Sequence, residues 1–272
     1  MFWKSLKLEW KKMWNEKNLI YAVLVGCVIS IFQIIAEDVP QLKGLAGHAI
    51  MEYPDSVFNK GLMFEFSKYM VAYYTAVSFI AVIPYALSFY REKQSGYIRQ
   101  IITRMDSKQY FIAKYIVTFL SGGIAATVPL LLNFMISMAI WPSVVPQPGT
   151  MTFPIFGTSM FSDCFFSMPY LYALIYFIID FIIAGILATF SLGISWIAFH
   201  KYIVLFFPFI MYYLMHFICT YIGNQKFSPL AIMMPQQQNT DMSYFITGMV
   251  IVVLFIASLL MYWIGGRKNE VY

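Results

Sequence analysis

Asp180 is the one acidic residue set deep in an apolar run of this 272-residue chain, and His216 lies in the next such run. Counted from Tyr170 at 1.5 Å per residue, Asp180 sits ~15 Å along a helix, near the middle of a bilayer-length run. An ionisable group at that depth is costly, so it is a candidate intramembrane polar site for a proton or a cation, with His216 as its partner across adjacent helices. The plainer alternative is a protonated, locally hydrogen-bonded acid that fixes helix packing. Other reactive sets are missing. The sequence holds no G-x-x-x-x-G-K-[ST] to cradle ATP, no H-E-x-x-H, no G-x-S-x-G and no C-x-x-C. His48, His200 and His216 are too scattered to suggest a metal site. Cys27, Cys164 and Cys219 show no metal spacing; a Cys164–Cys219 bridge is conceivable, and unpaired apolar cysteines are the plainer reading. No catalysis, metal or cofactor is expected of the chain itself.

The second chemistry-bearing stretch is Tyr90–Lys114, YREKQSGYIRQIITRMDSKQYFIAK, a long basic break between two apolar runs. Tyr97, Ile98, Ile101, Ile102 and Met105 recur at helical spacing on one face, with Arg99, Gln100, Thr103 and Arg104 on the other. A short helix outside the bilayer, joined closely to two spans, is placed to receive force from a soluble partner. Residues 2–17 form another amphipathic element. Trp3, Leu6, Trp10, Met13 and Trp14 fall on one stripe, and Lys4, Lys7, Lys11 and Lys12 lie largely away from it. Such a helix lies in the membrane interface, its tryptophans at headgroup depth and its lysines toward anionic lipid, either as a topology anchor or as a part that transmits motion.

The elements that must position these residues are helices in a bilayer. The chain is 60% apolar and 11% charged, with a mean hydropathy of +0.69, which excludes an ordinary soluble domain. Six runs reach the ~20 residues that a span requires, at about 18–36, 69–89, 115–141, 170–199, 202–222 and 244–264. The expected fold class is therefore an all-α membrane protein, a single transmembrane domain over 1–272. Fourteen of the eighteen basic residues and five acids fall on one side, giving +9; four basic residues and seven acids fall on the other, giving −3. The positive-inside rule then makes both termini and the 90–114 segment cytoplasmic. The basic character follows topology, and nucleic acid is not an expected partner.

Of the loops on the other face, 37–68 is polar and mixed. Residues 142–169 carry five prolines, many aromatics and the single charge Asp163; so apolar a loop dips into the outer interface or caps a cavity, as a lid over an apolar path. SPLAIMMP, within 223–243, is a candidate half re-entrant piece. Ala22, Gly26 and Ser30 in the first span and Ala184, Ala188 and Ser191 in the fourth give small-residue faces for close helix approach.

These parts together resemble the ABC-2-type permeases of ABC exporters. The local match is Arg91-Glu92, then Gly96, then Thr103-Arg104 with Ser107, Tyr110 and Lys114, some twenty-five positions after the second span, while the topological match covers the whole chain. Chains of this size are similar to bacterial permeases for lantibiotic or bacitracin self-protection and antimicrobial-peptide export. The resemblance implies an ABC-2 (type V) exporter fold in the bacterial plasma membrane. Two permease copies, identical or paralogous, would surround a path for a peptide or hydrophobic substrate. Two separate ATPase subunits would bind ATP and Mg below it. Residues 90–108 would be the coupling helix. Glu92 with Arg99 or Arg104 would make polar contacts to the ATPase or to the N-terminal helix, and Tyr97, Ile98, Ile101, Ile102 and Met105 would form the apolar seat. Two alternatives stay open: a peptide-sensing or immunity subunit without bulk transport, and an ion-coupled channel or transporter using Asp180.

Overall fold

A computed structural model describes residues 2–41, 55–102, 107–147, 155, 157, 159–236 and 242–269, and all regular structure among them is helical. Among the described residues six helices are long and apolar enough to cross a membrane: Asn18–Gln41, Lys68–Gln94, Ser107–Ile140, Pro169–Ser195, Lys201–Tyr221 and Tyr244–Gly266. The expected count of six is met. The third begins eight residues earlier than hydropathy suggests, because Ser107–Lys114 continue the helix although they are polar. The fourth ends at Ser195, and the chain turns through 196–200 before the next helix.

In chain order, α1 is Phe2–Asn15 and α2 is Asn18–Gln33, prolonged by a π-helical turn at Ile34–Asp38. The second span is α3 (Lys68–Val82) and α4 (Ala86–Gln94), interrupted by a turn at Pro84, whose missing amide cannot continue the ladder. Then come α5 (Tyr97–Ile102), α6 (Ser107–Ile140), α7 (Ser162–Ser167), α8 (Pro169–Ser195), α9 (Lys201–Tyr221), α10 (Pro229–Met233) and α11 (Tyr244–Asn269). Ser67 caps α3 by accepting from the Met70 amide at 3.2 Å. Pro208 inside α9 leaves the Val204 carbonyl without its helical donor, and the Ser191 hydroxyl donates to it at 3.0 Å.

α8 is the most buried span and packs against α3, α6, α9 and α11; α2 lies on α3 and α6. The small-residue faces set two of these crossings. A Cβ on Gly26 would meet the Pro129 ring of α6 at 2.5 Å, and the Ser30 hydroxyl beside it donates to the Pro129 carbonyl at 3.3 Å. A Cβ on Gly122 would meet the Ala188 methyl at 2.5 Å, so α6 and α8 touch there backbone to backbone. α2, α9 and α11 keep large apolar faces exposed, as helices facing hydrocarbon do.

The two ends of the bundle differ. At the end away from α1, residues 55–66 fold into the helices, and Val57, Phe58, Leu62, Met63 and Phe64 are buried there among Phe134, Phe165 and Tyr172. The polar reading of 37–68 missed this packing; residues 42–54 of that stretch lie outside the described ones. α10, the SPLAIM segment, is also sunk into the bundle, its Ile232 and Met233 fully buried.

Candidate functional site at the basic end

The last turn of α4 presents four consecutive polar residues, Tyr90-Arg91-Glu92-Lys93. Neighbours on an α-helix point 100° apart, so the four fan around the axis and reach different elements. The Tyr90 hydroxyl donates to the Phe199 carbonyl in the α8–α9 turn at 2.7 Å. Arg91 pairs with Glu16 just after α1. Glu92 accepts from Lys12 of α1 at 3.2 Å, from Lys114 of α6 at 2.9 Å and from the Tyr110 hydroxyl. Lys93 donates to the Ser195 carbonyl at 3.3 Å and to that of Trp196, satisfying acceptors at the C-terminus of α8 where a cation suits the helix dipole. One turn thus ties α1, α6 and the near ends of α8 and α9 together.

Behind Glu92 the charges continue inward. Glu9 and Lys114 are both fully buried and lie 3.0 Å apart. The Tyr85 hydroxyl donates to Glu9 at 2.6 Å, and the Lys114 ammonium stands 4.2 Å from the centre of the Tyr85 ring. Lys12 bridges Glu9 and Glu92, each at 3.2 Å, and covers the Tyr97 ring at 4.2 Å. Two lysines and two carboxylates make the cluster neutral. Each buried ion carries a desolvation cost of several kcal/mol, which only close pairing and hydrogen bonds offset. Burial pulls the Lys12 ammonium down, and Glu9, Glu92 and Tyr97 outweigh it, holding it above the ordinary lysine value.

The segment expected as one helix over 90–108 is two pieces. Gly96, with a φ of 70°, ends α4 in the left-handed region, and α5 follows. Ile98 and Ile101, expected as an open apolar seat, are instead turned inward. They are buried with Phe89, Tyr110, Phe111, Trp196 and Tyr262, and Tyr97 packs against the same cluster. The physical reason is the Gly96 break, which folds α5 back toward the nearby ends of α4, α6, α8 and α11. Arg99 and Ile102 lie on α5, outside the residues with described side chains; Arg104 and Met105 lie outside the described residues altogether.

α1 also corrects the reading of its faces. Its buried stripe is Ser5, Glu9 and Met13, while Trp3 and Trp14 are exposed and Trp10 is half-buried, edge-on to Trp14 at 6.5 Å. Lys12, expected away from the tryptophan stripe and toward lipid headgroups, is drawn in by Glu9 and Glu92. Sequence reasoning missed Glu9, Lys12, Tyr85 and Lys93 as members of the site. A carboxylate flanked by lysines on an interfacial helix, with a lysine opening an apolar run at 114, was the available signal.

Asp180 and His216 do not form a pair. Asp180 is fully buried and accepts from the Tyr74 hydroxyl at 3.3 Å, with Tyr73, Tyr176 and Tyr212 within electrostatic reach. His216 shares a 2.9 Å hydrogen bond with Ser228, at the start of α10. Cys27, Cys164 and Cys219 are free thiols, so the conceivable Cys164–Cys219 bridge is not formed. Among the described residues no group of three or more His, Cys, Asp or Glu side chains has a metal-holding arrangement. Comparison of this chain with protein-family models, with curated proteins and with solved structures finds no match.

Proposed function

We propose that the chain is the membrane-spanning permease subunit of an ATP-driven exporter, powered by a separate ATPase. The observation that carries this reading is the ionic joint. The last turn of α4 links an amphipathic N-terminal helix, a short helix at the membrane surface and the inner ends of three further spans. A push on α1 or α5 would reach all of them at once. The chain has no phosphate-cradling loop, so the energy source is another polypeptide that carries ATP and Mg. The surface left for such a partner is polar: Arg91, Gln94, Ser95 and Gln100 are exposed around the joint. Two permease copies, identical or paralogous, and two ATPase copies form the transporter, in the bacterial plasma membrane with both termini cytoplasmic. α1 lies in the inner interface with Trp3 and Trp14 toward lipid. The substrate is amphipathic or hydrophobic, an antimicrobial peptide or drug, in keeping with the apolar faces of the spans and the buried aromatics of the far end.

A tagged chain taken from its own membranes in mild detergent tests this reading. A P-loop ATPase should accompany it in about equal amount, and the complex should hydrolyse MgATP; hydrolysis by the chain alone, or a chain that is pure and unaccompanied, would defeat the proposal. Asp180 supports a second reading, an ion-coupled step, because its Oδ1 has no hydrogen-bond partner among the described residues. Asp180→Asn separates the two. Unchanged transport with lower thermal stability assigns Asp180 to packing, and loss of transport with unchanged stability assigns it to ion coupling.

A further inference from the structure

The side of α1 turned away from the bundle carries charge that nothing in the bundle answers. At ~100° per residue Lys4, Lys7 and Lys11 fall within about 60° of one another, opposite the buried stripe of Ser5, Glu9 and Met13. All three lysines are exposed. The acids described at this end are turned elsewhere: Glu9 and Glu92 to Lys12 and Lys114, and Glu16 to Arg91. Among the described residues no carboxylate pairs with Lys4, Lys7 or Lys11, and the face keeps their positive charges along ~10 Å of helix.

The residues beside these lysines say which anion they meet. Trp3 and Trp14 adjoin the lysine stripe and are 78% and 48% exposed, and Leu8 is exposed on its other flank. An indole with a cationic neighbour suits headgroup depth, where the ring meets apolar chains and the ammonium meets phosphate. A free anion or an acidic protein surface would match the lysines and leave the indoles unmatched. The same helix carries Glu9 and Lys12 toward the bundle, and their ion pairs help to hold it against α4 and α6. The charge that faces Lys4, Lys7 and Lys11 therefore bears on how α1 is seated.

We propose that Lys4, Lys7 and Lys11 form a docking face for anionic lipid headgroups, and that the charge of the leaflet sets how firmly α1 sits on the bundle. The face needs no ATPase partner, so it stands or falls apart from the exporter reading. Amide hydrogen exchange of the whole chain, in nanodiscs of phosphatidylcholine and of an equal mixture with phosphatidylglycerol, tests it. Exchange over 2–15 should slow several-fold in the anionic discs, and high salt should remove the difference. Lys4→Gln, Lys7→Gln and Lys11→Gln made together should abolish the slowing. Lys201→Gln, at an exposed lysine heading α9, should leave it intact. The comparison of the two discs in the unmodified chain holds even if the triple variant does not fold. Equal exchange in both discs, or slowing that survives the triple substitution, would overturn the proposal. So would the same slowing produced by inorganic phosphate in neutral discs.

Discussion

At the basic end, Glu9, Lys12, Glu92 and Lys114 meet side chain to side chain from α1, α4 and α6. At the far end, amide and hydroxyl bonds join the Lys60 pairs with Asp55 and Glu65, each at 3.5 Å. Asn133 donates to the Gln33 side chain at 2.9 Å and to the Ser30 carbonyl at 3.3 Å while accepting from the Leu62 amide at 2.8 Å. The Ser56 hydroxyl donates to the Val144 carbonyl at 3.0 Å, and the Gln236 amide to the Phe64 carbonyl. A backbone acceptor has one place, so the far end is pinned. Ion pairs between long side chains can exchange partners without moving the backbone far, and among the described residues α1 is held to α4 and α6 chiefly through such contacts and apolar packing. The Tyr90 and Lys93 bonds to the Phe199, Ser195 and Trp196 carbonyls pin α4 in the same way, so α1 is the element held chiefly by exchangeable pairs.

The largest break in this contrast should come from Lys114→Met, which leaves two buried carboxylates sharing Lys12. A loss of about 3–5 kcal/mol is expected, read as a fall in the thermal midpoint in detergent, and Glu92→Gln added to it should recover part of the loss. Asn133→Ala at the pinned end should cost about 1–3 kcal/mol, by stranding the Leu62 amide and the Gln33 carbonyl. Like the loss at the fully buried Lys114, it should be indifferent to salt. Arg91→Ala should change stability by no more than about 1 kcal/mol, since Arg91 is 57% exposed, and high salt should erase the difference. The smallest effect concerns Lys12 at alkaline pH. Its folded value is raised above the ordinary 10.5, so its stabilisation is complete below that pH and is lost only as the pH climbs through the higher folded value. The gap in thermal midpoint between the unmodified chain and Lys12→Met should stay constant to about pH 10 and narrow above it; a gap that closes near neutrality would contradict the pairing.

Hydropathy made the spans legible, because length and apolar content suffice to define a bilayer crossing. It could not show what α1 turns inward. In water the apolar stripe of a helix seeks the protein, but at a membrane the tryptophan stripe can face lipid, and the stripe of Ser5, Glu9 and Met13 takes the bundle. Lys114 was legible as the last position of the ABC-2-like motif and as one of the basic residues of 90–114, not as a buried ion. Its burial depends on Glu9, more than a hundred residues earlier, and on Glu92, and no local pattern encodes that meeting. Ile98 and Ile101 had the right period, but periodicity does not say which neighbour fills the face. The residues of 55–66 went unread for the same reason: Val57, Phe58 and Phe64 sit among polar neighbours, and only the helix ends around them make a dry site.

The proposed role of the ionic joint as a relay of ATP-driven motion is best tested by ATP turnover in a complex of this chain with the proposed ATPase, comparing the unmodified chain with Glu92→Gln in the same nanodiscs. With assembly and helix content unchanged, turnover should fall at least about tenfold and transport with it, equivalent to ~1.4 kcal/mol of lost coupling. Turnover and transport at the unmodified rate in a complex carrying Glu92→Gln would show that force does not pass through this joint.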